Sequence, residues 1–347
     1  MNATFIYLNS RRDLLDGVRR GEEPDSSLYG ALQLPEHGID VRIHDPLLTR
    51  RELPSPLGRA AWSLREVSAP FELGRTDVVV TPLAALLPLA ARARRLPVVA
   101  MNFGLNLIWR RASPARRALL RASLRSAARV VCLGESQRAE LVELAGLEPE
   151  HVVTMHVPID AAFFEPQNER EGRGVLAVGK DLARDYATLG GAMRSVDAEA
   201  IVVAHPRNLA GVELPSNVTV RSGVPSTELR DLYARSACVA LPQHDEAFPF
   251  GSEGGGLTAL LEAMAMGKAI VATERPVLHD YVDDGVDAVL VPPGDEAALR
   301  AALERVLGDR ELAASLGAAA RARVERSFAS PVFAAELAPL LRSVVDG

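Results

Sequence analysis

Short apolar runs rich in Val, Ile, Ala and Leu recur along the chain, with amphipathic or polar sequence between them. In the first half Thr4–Leu8, Val41–His44, Asp77–Thr81, Pro97–Met101 and Val130–Leu133 are too short for buried helices and read as strands. The second half repeats the scheme at Gly174–Val178, Ala200–Ala204, Val218–Arg221, Cys238–Leu241, Ala269–Thr273 and Ala288–Val291. Helical runs such as Ser226–Ser236 and Gly256–Met266 separate them. Strands alternating with helices predict parallel sheets covered on both faces, so the chain reads as two α/β, Rossmann-like domains with a cleft between them. Polar sequence without periodicity, Phe164–Gly172, puts the boundary between Pro158 and Gly174. The domains are expected at 1–165 and 166–328.

Composition narrows this picture. The 347 residues are 48% hydrophobic and 5% aromatic, which describes a globular chain with an Ala, Leu and Val core. Cys132 and Cys238 each lie in an apolar strand-like run, so buried free thiols and a reducing, cytoplasmic location are expected. The apolar stretch Val78–Ala91 is interrupted by Thr81, Pro82 and Pro88 and falls short of a membrane span, and the N-terminus lacks a signal-peptide pattern. The net charge of −6 divides into about +2 through Glu165 and about −8 beyond it. No basic stripe with interleaved aromatics marks a nucleic-acid surface.

The chemistry concentrates after the strands of the second half, where open α/β sheets bind ligands. Only two lysines occur among 39 basic residues, and each follows a glycine: Gly179-Lys180 and Gly267-Lys268. One helical turn past Lys180 stands Arg184; an ammonium and a guanidinium at one strand end suit a diphosphate, although Arg184-Asp185 also reads as a surface ion pair opening a helix. Gly254, Gly255 and Gly256 directly precede a helical run, bringing open backbone N–H groups and a helix N-terminus to one spot. Glu262 lies on that helix among Leu260, Leu261 and Ala263, poorly placed for solvent and well placed to accept both hydroxyls of a ribose.

These residues resemble the retaining family 4 glycosyltransferases, glycosyltransferase group 1. The resemblance is strongest over Gly256–Asp295, where LLEAMAMGKAIVAT and DYVDDGVDAVLVPPGD look like the donor-site helix, following strand and closing turn. It implies the GT-B arrangement, two facing Rossmann-like domains with the donor site in the interdomain cleft, and a final helix, residues 329–347, returning to the first domain. It further implies a hexosyltransferase-type enzyme, metal-independent and without a cofactor, moving a sugar with retention of configuration from a nucleotide-diphosphate sugar to an acceptor held by the N-terminal domain. Glycolipid, polysaccharide and secondary-metabolite acceptors all suit a bacterial enzyme of this kind. Glu262 stands where the family's E-x7-E motif holds the ribose, and the turn Gly254, Gly255, Gly256 with Leu257 and Thr258 stands where phosphates and sugar are met. VLAVGKDLARDYATL is similar to the family's Gly-Arg…Lys motif with the charges exchanged, giving Gly179, Lys180 and Arg184 diphosphate roles. Val220-Arg221-Ser222-Gly223-Val224 resembles the stretch whose backbone meets the base, which makes Val224 a donor candidate.

Two departures stand out. Eight residues before Glu262 the sequence has Gly254 rather than glutamate, which leaves two readings: Glu253, one place earlier, as a substitute catalytic carboxylate on a longer loop, or the sugar held by backbone and Thr258 alone. Asn102 stands where many relatives carry a histidine facing the sugar, and takes its candidate catalytic place beside Lys180 and Arg184. Because the family is described as reacting by front-face displacement, diphosphate neutralisation then carries the leaving-group work. Gly21 and Ser26 belong to the loop that the family closes over the donor, and His205, at a strand end, is a further donor candidate. No histidine spacing or Asp-x-Asp motif implies a metal. Within Trp109–Arg125, Arg117, Arg121 and Arg125 fall four apart beside Leu120 and Leu124; such a helix suits peripheral contact with anionic lipid at the inner membrane face, or a plain solvated face. Two rivals remain: a nucleotide-sugar 2-epimerase, which needs acid/base residues in the cleft, and a non-catalytic GT-B subunit.

Overall fold

The computed structural model describes residues 1–7, 9–44, 55–82, 85–167, 172–251 and 254–346, with the backbone alone over 55–63. Twelve strands are described: β1 Asn2–Ile6, β2 Asp40–His44, β3 Val78–Pro82, β4 Val98–Asn102, β5 Arg129–Cys132, β6 Val152–Thr154, β7 Val175–Gly179, β8 Ala200–Ala204, β9 Val218–Arg221, β10 Cys238–Leu241, β11 Ala269–Thr273 and β12 Val289–Val291. They form two six-stranded parallel sheets, ordered β2-β1-β3-β4-β5-β6 and β12-β11-β10-β7-β8-β9. The α/β reading with two Rossmann-like domains therefore holds. The short β6, paired with β5 through Val152↔Val130, is an addition to the predicted strands.

The chain divides into two compact units, one of Met1–Arg20, Asp25–Pro158 and Ser330–Gly347, the other of Gly21–Pro24 and Ile159–Ala329. In the first unit the pleat sends Val78 and Val80 to one face of the sheet and Val79 to the other, and all three are fully buried. The face with Phe5, Val80 and Met101 is covered by Phe333, Ala334, Leu337 and Leu341 of the helix Ser330–Asp346. In the second unit Val175, Ala177, Val202, Ala240 and Val271 pack against Tyr186, Leu189 and Met193 from the helix Tyr186–Met193 and against Leu299 and Leu303 from the helix Glu296–Gly308. Strands buried on both faces explain why the sequence reads as continuous apolar runs rather than alternation.

Cys132 and Cys238 are buried free thiols, and burial pushes the Cys238 thiol up to about 12. Among the described residues no helix is long and apolar enough to cross a membrane.

Candidate functional site

In the second sheet the chain leaves β7 for β8 on one side and later returns to β10 on the other, so β7 and β10 flank the point where strand order reverses. A crevice is expected outside their carboxyl ends. Residues 183–185, after β7, run antiparallel to residues 242–244, after β10: Asp185 N–H donates to Pro242 O at 3.1 Å and His244 N–H to Ala183 O at 2.8 Å. Asp185 then opens the helix Tyr186–Met193 as its cap, accepting from Thr188 N–H at 3.0 Å and Thr188 Oγ1 at 2.6 Å. With its neighbours on either side fixed, Arg184 is driven inward.

Arg184 is 3% exposed, so the surface ion pair is ruled out. Its guanidinium lies against Gly179, where a Cβ would stand 2.0 Å from Nε. Its Nε and Nη1 have no hydrogen-bond partner among the described residues. Burial pulls its pKa down, opposed by Tyr186, Tyr233, Asp181 and Glu262, but a guanidinium stays charged in proteins. A buried charge with open donors is costly unless a ligand completes it.

The crevice holds a cavity of about 650 Å³ lined by Gly179, Lys180, Asp181, Arg184, Gly254, Gly255, Gly256, Thr258 and Glu262, with Val178, Leu182, Arg207, Leu229, Phe250 and Ala259 completing the wall. That volume suits a small-molecule ligand. The glycine turn sits at the N-terminus of the helix Leu257–Ala265. A Cβ on Gly255 would meet the Asp181 carboxylate at 2.7–2.8 Å, so the Asp181 side chain packs directly against the glycine turn. Lys180 is exposed at the mouth.

Glu262 sits deeper on that helix, 8% exposed, with Tyr233 Oη donating to its Oε2 at 2.9 Å. Burial pushes its carboxyl up to about 7, against the pull of Tyr233, Lys180 and Arg184. Oε1 is left for a ligand.

The sequence thus placed Gly179, Lys180, Arg184, Gly254, Gly255, Gly256, Thr258 and Glu262 around one cavity. Several other candidates stand elsewhere. Asn102 is fully buried: its Oδ1 accepts from Leu105 N–H at 2.7 Å and Gly104 N–H at 3.2 Å, and its Nδ2 donates to Asn106 Oδ1 at 2.8 Å. Its Oδ1 thus takes the first N–H of the helix Leu105–Arg110, and both amide atoms are engaged within the fold. Leu257 is a core side chain whose N–H donates to Gly254 O at 3.3 Å. Val224 is half-buried outside the cavity wall, and Leu229, from the helix Ser226–Arg235, reaches it instead. His205 uses Nδ1 to accept from Arg207 N–H at 3.2 Å, capping the turn Pro206–Leu209, while Arg207 lines the cavity. Ser26 is buried in the first unit and Gly21 is exposed with open space around it; neither lines the cavity. Glu253 lies outside the described residues.

The arginines of the basic stripe make contacts within the first unit. Arg117 donates to Trp109 O and Arg110 O, each at 3.0 Å; Arg121 donates to Ala145 O at 2.9 Å over the Trp109 ring; Arg125 donates to Gly146 O at 3.0 Å. All three close the carboxyl ends of neighbouring helices, where cations are favoured. Lys268 behaves alike, its Nζ donating to Ala234 O at 2.7 Å and Ser236 O at 3.1 Å. The two post-glycine lysines share a local pattern and nothing else.

The family described as "Glycosyltransferase Family 4" matches residues 19–163 and that described as "Glycosyl transferases group 1" matches 208–323, so the two halves of one enzyme family lie in order along this chain. The chain belongs to the family 4, group 1 glycosyltransferases. Among relatives of this chain, the D-inositol 3-phosphate glycosyltransferase of Kineococcus radiotolerans is 28% identical over 241 residues, 58% of this chain and 54% of the relative. The GDP-mannose-dependent alpha-(1-6)-phosphatidylinositol monomannoside mannosyltransferase of Mycolicibacterium smegmatis is 29% identical over 69% of this chain and 68% of its own. The chain spans little more than half the length of the first relatives it matches. In fold, the chain is similar to sucrose-phosphate synthase of Thermosynechococcus elongatus, with a TM-score of 0.74 and 17% identity over 100% of this chain and 99% of the other. It is similar also to HepE of Anabaena, solved with UDP, with a TM-score of 0.69 and 16% identity over 99% and 100%.

Proposed function

We propose that the chain transfers a glycosyl unit from a nucleotide-diphosphate sugar to an acceptor with retention of configuration and without a metal ion, the second unit holding the donor and the first left for the acceptor. The observation that carries this reading is the buried Arg184 guanidinium, with Nε and Nη1 unpartnered, in the wall of a cavity that also holds Lys180, an open glycine turn and Glu262. Two cations and the backbone N–H groups at a helix N-terminus suit the two negative charges of a diphosphate. They suit the departing nucleoside diphosphate better still, because charge builds on the bridging oxygen as the glycosidic bond breaks, and preorganised donors stabilise it without reorganising. Glu262, ionised, accepts from the ribose hydroxyls through Oε1 while Tyr233 holds Oε2.

The test is a thermal-shift panel of UDP, GDP, ADP and TDP with their common sugars, on the wild type, Glu262→Ala and Lys180→Ala. One nucleotide is expected to stabilise the wild type selectively and to lose its effect in both variants; no stabilisation by any of them sinks the donor site. Donor binding without transfer or hydrolysis, whatever acceptor is offered, identifies the non-catalytic subunit. Turnover of a UDP-sugar alone to its 2-epimer identifies the epimerase.

A further inference from the structure

Behind the glycine turn lies a second buried cation that the proposed chemistry does not use. Arg275 stands two residues past the end of β11 and Gln243 two past the end of β10, and these neighbouring parallel strands bring the two side chains together. Both are buried, Arg275 5% and Gln243 3% exposed. Gln243 is fixed from its own backbone, its N–H donating to Thr273 Oγ1 at 2.9 Å. Arg275 Nη1 donates to Gln243 Oε1 at 3.2 Å, and Arg275 Nη1 and Gln243 Nε2 both donate to Gly255 O, each at 2.9 Å.

A trans peptide holds its C=O and the following N–H on opposite edges of one plane, and the described residues contain no cis bond. With Gly255 O held against Arg275 and Gln243, the Gly256 N–H points the other way, and it has no acceptor among the described residues. Gly255 and Gly256 both line the cavity. A cation on the carbonyl also polarises the peptide, which strengthens the N–H at its other end as a donor. We infer that Arg275, through Gln243 and the Gly255 carbonyl, is a positioning residue that aims and strengthens the Gly256 N–H toward a ligand phosphate. The inference rests on the proposed reading of the cavity as a diphosphate site.

Inorganic pyrophosphate, titrated into the intact chain by calorimetry with the Gly256 amide followed by ¹⁵N–¹H NMR, tests it. The wild type is expected to bind with a downfield shift of that amide, and Arg184→Ala to lose binding. Arg275→Met is expected to weaken binding about tenfold, the size of one charge-assisted hydrogen bond. Its Gly256 amide is expected upfield of wild type before pyrophosphate is added, and Arg275→Lys to recover part of both effects. Should Arg275→Met not fold, Gln243→Leu carries the same expectation. Wild-type affinity and an unmoved Gly256 amide in the Arg275 and Gln243 variants, with Arg184→Ala still impaired, overturns the positioning role and leaves the diphosphate site standing. Pyrophosphate that fails to bind the wild type, or that binds Arg184→Ala equally well, overturns both.

Discussion

At the carboxyl end of β4 the first unit buries Asn102 with both amide atoms matched, whereas past the end of β7 the second unit buries Arg184 with two guanidinium nitrogens unmatched. Both are polar residues at strand ends of parallel sheets, and both looked like site residues. Their hydrogen bonds separate them: a completed buried network fixes a fold, and an incomplete one with a charge at its centre marks a candidate site.

The sharpest way to break this comparison is Arg184→Met. Nucleotide-diphosphate affinity is expected to fall about 100-fold, while the unfolding midpoint of the free chain holds or rises because an uncompensated buried charge has gone. Calorimetric titration and a thermal scan of one preparation read both; a lower midpoint with unchanged affinity would make Arg184 structural. Asn102→Ala is the converse. It leaves the N–H groups of Gly104 and Leu105 without their acceptor, so urea unfolding is expected to show a loss of about 2–3 kcal/mol with nucleotide affinity unchanged.

Next in size is the pH dependence from Glu262. Its folded-state carboxyl, at about 7, lies above the ordinary 4.5. A raised carboxyl favours folding in its protonated form, so that contribution is full below pH 4.5 and is lost as pH rises through 7. Ligand binding runs oppositely if the ribose needs the carboxylate: affinity is flat above pH 7 and falls by up to about tenfold per unit below it, and Glu262→Gln flattens the profile. A titration series between pH 5.5 and 8.5, unchanged by that substitution, would remove Glu262 from the ribose. The smallest effect belongs to Arg121→Ala, expected to cost about 1 kcal/mol through the lost contact with Ala145 O and to leave co-sedimentation with anionic vesicles unchanged.

The fold was legible where short apolar runs were bounded by turns: β8, β9, β10 and β11 begin and end on the predicted residues. β6, three residues at a sheet edge directly after the polar run Glu148–His151, was not among the predicted strands. In the site, the residues in sequence with Gly179 and with the glycine turn could be read, since local geometry decides them. Arg275 and Gln243 could not: they are 32 positions apart and meet only because β10 and β11 are neighbours. The signal that existed was a polar residue shortly after each of two apolar strands. The hydrogen bonds of Asn102 and the three arginines were hidden for a related reason, since sequence shows a polar group and its spacing but not the carbonyl or N–H that the fold brings to it.

The helix Ser330–Asp346 sets the order in which this molecule can be completed. Phe333, Leu337 and Leu341 belong to the core of the first unit, yet a ribosome adds them only after every residue of the second. Domains of a nascent chain ordinarily finish from the N-terminus onward. Here the part of the first sheet's apolar face that Phe333, Leu337 and Leu341 cover stays open through the synthesis of the second unit.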